Sequence, residues 1–382
     1  DLNKQNKVGG TPAHMAAQSG HKEVIIALQQ ANADLSKPNN QGNTLTHTAA
    51  YGGHAHIIAT LHQMNINLNA QNYEGLTPAH FAAQQGHVAV IDALYHAKAN
   101  LNIQSDRGYI PAHFAALTGQ ASVITALHAL KVDLNTQEYS GDTPAHTAAL
   151  ENQLQVIEAL QQSKADLSKQ NYGGHTPAHI AAFSGNIPII TALYQAEASL
   201  DRQNYDGHIP AHLAAREGHD EVIAILYQAN TDLNKKDHEG NTPAHLAALQ
   251  EHTQVIIALH QAQAHLNIQN YNGDTPLHLA VKSDQSEIVT ALVGAQVTLD
   301  IRNYEGKTAL HLAVEQGSAM MIALLLEGGA NHQLVDTDGH APLHYVEKAY
   351  DMLTDNPEIE DADDKMEALE LMILLLQEDE DE

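Results

Sequence analysis

An all-α repeat solenoid, with helix–loop–helix–β-turn units stacked into a curved, elongated array, is the fold the sequence predicts. Three markers recurring in one phase predict it. A histidine returns every 33 residues without insertion or deletion, at His14, His47, His80, His113, His146, His179, His212, His245, His278, His311 and His344. A glycine keeps the same register from Gly9 and Gly42 to Gly306 and Gly339. An Asp-Leu-Asn tripeptide at 1–3, 133–135 and 232–234 is the third. Periods of this length mark arrays in which each unit is too small to bury its apolar face alone, so neighbours complete the core.

The unit at residues 67–99 shows how each element follows from its residues. Asn72-Tyr73-Glu74-Gly75 reads as a tight turn. Thr77 is placed to cap the next helix through its hydroxyl, and Pro78 fits the first helical position, where a missing N–H costs nothing. Ala82 and Ala83 let this short helix approach its neighbours, and Gly86 closes it. A second helix presents Val90, Ile91 and Leu94 at helical spacing for one buried face, and Leu101 returns the chain to the next turn.

The unit resembles the ankyrin repeat. Gly75-Leu76-Thr77-Pro78-Ala79-His80-Phe81-Ala82-Ala83 matches the family's core, and residues 275–280 read Thr-Pro-Leu-His-Leu-Ala. The resemblance extends over residues 1–344. Ile110, Ile209 and Ala341 stand where the motif has its capping Thr, and Thr44-Leu45 lacks the Pro. Each lost cap is expected to cost about 1 kcal/mol. The resemblance also implies that the motif histidines are structural, tying a turn to its own or the next helix. The other reading of so many histidines, a metal ladder, requires ligands converging to about 2 Å from one ion, whereas these lie a repeat apart. His54 with His56, and His260 with His265, are the pairs placed to take up a metal adventitiously; no metal and no cofactor is expected.

Composition narrows function by exclusion. The chain has 382 residues, a formal charge of -28, no Cys, no Trp and 3 Phe. Absence of cysteine rules out disulfides, thiolate metal sites and a cysteine nucleophile. The negative charge repels phosphate backbones, so nucleic acid is not an expected partner. No apolar run reaches the ~18 residues of a membrane span. No GxSxG, phosphate-loop, HExxH or DxDxDG motif occurs, so no enzyme activity and no small-molecule substrate is expected. The remaining expectation is a cytoplasmic protein-binding scaffold. Its wealth of Asn, Gln and His without Cys resembles ankyrin arrays of effectors from intracellular bacteria, which places it in the host cytoplasm after secretion. A second reading is the targeting module of an enzyme whose catalytic domain precedes Asp1. A third takes the array as a substrate for hydroxylation at Asn69, Asn102 and Asn135, as the resemblance implies.

In ankyrin-like stacks the turn tips and the exposed side of the first helix form the concave binding face. Positions that vary against the constant scaffold are free to specify a partner. The candidates are Tyr73, Leu76 and Phe81 in the third unit, with Glu74, Gln84 and Gln85 beside them; Tyr109, Phe114 and Leu117 in the fourth, with Asp106, Arg107 and Thr118; Tyr139 and Leu150 in the fifth; Tyr172 and Phe183 in the sixth; and Tyr205 and Arg216 in the seventh. Aromatic residues are enriched at interfaces. The phenylalanines read equally as partial packing against the adjacent helix, and the recurrent tyrosines as scaffold.

The ends differ from the middle. Asp1 begins mid-unit, and Ala16, Ala17, Val24, Ile25 and Leu28 make the first unit look like an interior one, so the sequence reads as a fragment preceded by further protein. By this reading residues 1–350 are the array, 351–366 an acidic insertion within the last unit, and 367–382 a capping helix with an acidic tail. From Asp336 onward there are 17 acidic residues and 2 lysines, so the C-terminal end holds over half of the net charge.

Overall fold

The computed structural model describes residues 1–355 and 362–377, which form 22 helices and no strand. They make two compact units, one of residues 1–181 with 188–199, the other of residues 182–187 with the described residues from 200 onward. Both are built from the same helix pair. No helix among the described residues is long and apolar enough to cross a membrane.

In the first unit the third repeat shows the construction. Its turn is closed by Gly75 N–H donating to Asn72 O and by Asn72 N–H donating to Leu76 O, at 3.0 and 2.9 Å. The Asn72 Oδ1 accepts the N–H groups of Glu74 and Leu76. The first helix, Pro78–Gln84, is entered from an extended Thr77 and buries Ala79, Ala82 and Ala83. The second, Val88–His96, buries Val90, Ile91 and Leu94 completely. Neighbouring turns are joined by backbone, Tyr73 N–H donating to Gln41 O and Asp106 N–H to Glu74 O. Gln71 Nε2 adds a side-chain bridge to Gly75 O in its own repeat and Gln104 O in the next.

The contribution of stacking is visible at the first repeat. Val24 is 45% exposed, whereas Ile57, Val90 and Val123 at the equivalent position are fully buried, each lying under the repeat before it. Burying such a side chain is worth about 1.5–3 kcal/mol, which is why single units are not autonomous.

The second unit repeats the pattern with Val222, Ile223 and Leu226, and again with Val255, Ile256 and Leu259, fully buried. Its end departs from the period. The first helix of the last repeat, Pro342–Asp355, has 14 residues against 7 in Pro78–Gln84, and the final helix, Ala362–Gln377, buries Met372 and Leu376 while Leu371 and Leu374 stay exposed. The stretch 351–366, read from the sequence as an insertion between helices, is therefore helical at 351–355 and from 362 onward. The acidic residues 358–361 and the tail from 378 lie outside the described residues.

Candidate partner-binding groove

The motif histidines are consumed by the scaffold. In nine of them, both ring nitrogens are committed. His80 Nδ1 accepts the N–H of Thr77 at 3.0 Å and the Thr77 hydroxyl at 2.9 Å, while Nε2–H donates to Tyr109 O of the next repeat at 2.8 Å. The same reach of 29 residues joins His14 to Asn43 O, His47 to Leu76 O, His113 to Asp142 O, His146 to His175 O, His212 to Asn241 O, His245 to Asp274 O, His278 to Lys307 O and His311 to His340 O. Since Nδ1 must accept from a backbone N–H, the proton sits on Nε2. Burial pushes the pKa of His47, His80, His113, His212 and His245 down to about 4, which keeps these rings neutral near neutral pH. With no lone pair left, they form staples between repeats and not a metal ladder.

This arrangement completes the expected Thr77 cap as a reciprocal capping box. The Thr77 hydroxyl donates to the imidazole, and it is the imidazole, at the third helical position, that satisfies the N–H ahead of the helix. A histidine thus takes the place of the Glu or Gln of a capping box. Ile110 and Ile209 therefore lose less than a cap: their N–H groups still donate to His113 and His212 at 3.2 and 3.1 Å, and both side chains are fully buried. We expect Ile110→Thr to change stability by less than about 1 kcal/mol, because the regained hydroxyl bond and the lost apolar burial are each worth about that much. A urea titration checks this.

The first of the two histidine pairs is also taken. His54 Nε2 donates to Gln18 O and His56 Nε2 to Gly20 O. His260 and His265 line a shallow groove of 470 Å³. Asp336, Asp338 and His340 come within 4.8 Å of one another, but the Asp336 carboxylate is occupied by the N–H groups of Asp338 and His340 and by the Tyr345 hydroxyl. It holds the last turn together.

The candidate partner residues separate into distinct places. Tyr73, Leu76, Tyr109, Phe114 and Leu117 come together in the first unit around a groove of 590 Å³, with Glu74, Asp106, Arg107, Ser105, His113 and Thr147 completing its wall. Phe114 stands edge-on to Tyr109, with centroids 6.0 Å apart at 82°, and edge-on to His80 at 5.4 Å. That half-buried pair forms a rigid corner. Leu117 is 40% exposed at the end of the helix Pro111–Leu117.

Phe81 stands outside the groove, edge-on to His47 at 5.5 Å and Tyr51 at 6.3 Å. Tyr139, Leu150 and Tyr172 are exposed but do not line it. The recurrent tyrosines lie on turn glycines: a Cβ built on Gly42, Gly108 or Gly141 would meet the ring of Tyr73, Tyr139 or Tyr172 within 2.7 Å. They have a scaffold role even where they face solvent. In the second unit the Arg216 guanidinium sits 5.7 Å over the Phe183 ring and pairs with Glu217 at 2.9 Å, and Tyr205 is exposed. Three groove residues, Ser105, His113 and Thr147, are not among the candidates; Ser105 and His113 are scaffold positions, and Thr147 occupies the variable place after the motif histidine of the fifth repeat, where Phe114 stands in the fourth.

Helix pairs clipped turn to turn, with an apolar groove opening beside the turns, define a helical-repeat scaffold of the protein-interaction class. The chain belongs to the ankyrin repeat family. The model for ankyrin repeats in three copies matches residues 79–171, 162–237 and 211–303; that for many copies matches 47–94; and the single ankyrin repeat matches 8–40 and 305–337. Ankyrin repeats are in general protein–protein interaction modules and typically not catalytic. No curated protein matches the chain.

Proposed function

We propose that the chain is a non-catalytic scaffold that binds a partner protein through the face carrying the turns and first helices, with the groove of the third to fifth repeats as its central contact. The observation that carries this reading is the gathering of Tyr73, Leu76, Tyr109, Phe114 and Leu117 around one groove. Interfaces concentrate their energy in aromatic anchors within apolar pockets, and a rigid Tyr109–Phe114 corner supplies one without an ordering cost. Within the second unit Phe183 and Arg216 are a separate candidate contact. The composition supports a bacterial effector acting on host proteins in the host cytoplasm.

The test is capture from host-cell lysate by wild-type protein and by a Tyr109→Ala/Phe114→Ala/Leu117→Ala variant. We expect the triple variant to keep its helical circular dichroism and to lose at least about tenfold in captured partner, since each truncated anchor is worth about 1–2 kcal/mol. A folded triple variant that retains every partner excludes the groove as the contact.

A further inference from the structure

The groove carries a charge pattern that its apolar floor does not require. Glu74 and Asp106 stand exposed on its rim. Glu138 and Asp142 face the Tyr109 phenol from the next turn and, after burial, are the largest influences pushing its pKa up, with Arg107 acting against them. None of these four carboxylates is in an ion pair among the described residues. Glu138 accepts only the backbone N–H groups of Ser140 and Asp142, and Asp142 the amide of Asn171. Within the groove wall one cation, Arg107, stands with two anions, Glu74 and Asp106, while Glu138 and Asp142 add negative charge beside Tyr109 from outside the wall.

We propose that this groove takes a short extended segment of a partner protein in which an apolar side chain lies next to a lysine or arginine. The apolar residue fills the corner of Tyr109, Phe114, Leu76 and Leu117, and the adjacent cation meets Glu74 and Asp106. Arg107 offers its guanidinium N–H groups to the segment's backbone carbonyls. A volume of 590 Å³ is within the ~300–1,000 Å³ of sites that enclose compact ligands, so a few side chains fill it. Charge selects the occupant: the chain's own end from Asp336 onward has 17 acids against 2 lysines, and a second copy carries the same -28, so both are repelled where a basic segment is attracted.

This proposal rests on the groove being the contact surface, and its test separates the two. Fluorescence anisotropy would be read with two labelled peptides of one leucine pattern, one interleaved with lysine and one with glutamate, and with spermine as unlabelled competitor. The lysine peptide is expected to bind at least about tenfold more tightly than the glutamate peptide. Glu74→Gln/Asp106→Asn is expected to weaken it about fivefold, since two rim pairs are removed. Binding should weaken as added salt shortens the screening length from about 10 to 3 Å. Leu117→Ala should weaken both peptides alike. Equal binding of the two peptides, or no effect of Glu74→Gln/Asp106→Asn, overturns the charge assignment. Full displacement by spermine overturns the need for an apolar neighbour. If no peptide binds while the Tyr109/Phe114/Leu117 triple variant still loses its captured partner, the groove reading stands and the basic segment is wrong; if the triple variant also keeps its partner, both fall.

Discussion

Between pH 6.5 and pH 4 the protein is expected to lose stability steeply, taking up protons on unfolding at the motif histidines. The sign follows from the staples. Each neutral ring accepts a backbone N–H on Nδ1 and donates from Nε2, so a second proton has to break the Nδ1 bond and place a charge in a buried site. The unfolded chain takes that proton near the ordinary value of 6.5. His47, His80, His113, His212 and His245 resist it down to about 4, and His14, His146, His278 and His311 are lowered by the same burial. The unfolded state therefore binds more protons throughout the window, and stability is fully present above pH 6.5 and falls as pH drops toward 4. The fall from the ordinary 6.5 to about 4 is worth roughly 3 kcal/mol per ring at pH 4, and several rings act together. That sum approaches the whole stability of a domain, about 5–15 kcal/mol. Carboxylates, with ordinary values near 4, enter only at the lower edge. Urea midpoints followed by circular dichroism at half-unit pH steps test this; a midpoint unchanged from pH 7 to pH 4.5 refutes it.

The period, the helix pair and the buried aliphatics were legible because each is stated eleven times, and a position that repeats in phase has the same neighbours in every copy. The partners of individual atoms were not. Thr77 reads as a cap because Thr caps helices, and it is the cap; that the imidazole three residues on closes the reciprocal half of the box is a choice made by geometry. The groove was legible only as a set of variable positions. Phe81 and Phe114 hold the same place in their repeats, and each stands edge-on to the histidine of the repeat before. What separates them is their surroundings: Tyr51 lies against Phe81, whereas Tyr109 turns its ring to Phe114 and opens the groove. Which variable residues converge depends on neighbours one repeat away on either side. At the C-terminal end the period breaks, and with it the only rule the sequence offered; that helices continue to Asp355 and resume at Ala362 does not follow from any spacing in the earlier repeats.

Alanine at three glycines is expected to give three different outcomes. Gly294 ends the helix Ser286–Gly294 with nothing within 4 Å of an added Cβ. Gly294→Ala should be neutral or stabilising by up to about 1 kcal/mol, because alanine loses less backbone entropy in a helix. Gly329 is equally open but has φ +89°, so Gly329→Ala meets only the left-handed penalty of about 1–2 kcal/mol. Gly108 has φ +82°, and its Cβ would lie 2.8 Å from Tyr139 N and 2.6 Å from Tyr139 Cδ1. The ring can swing away, but the backbone nitrogen cannot, because it donates to Arg107 O at 3.3 Å in the clip between the fourth and fifth repeats. Gly108→Ala should then add to the left-handed penalty the loss of that hydrogen bond, about 1 kcal/mol, and the separation of two stacked turns, for a total of roughly 3 kcal/mol or more. Because a repeat array is held by its nearest-neighbour interfaces, the damage should concentrate between those two repeats and appear as faster amide exchange in the Glu138–Gly141 turn, with little change around Gly42. Thermal and urea melts of the three variants rank them; Gly108→Ala proving no more costly than Gly329→Ala would show that the turns slide apart freely and that the backbone clips do not hold the stack.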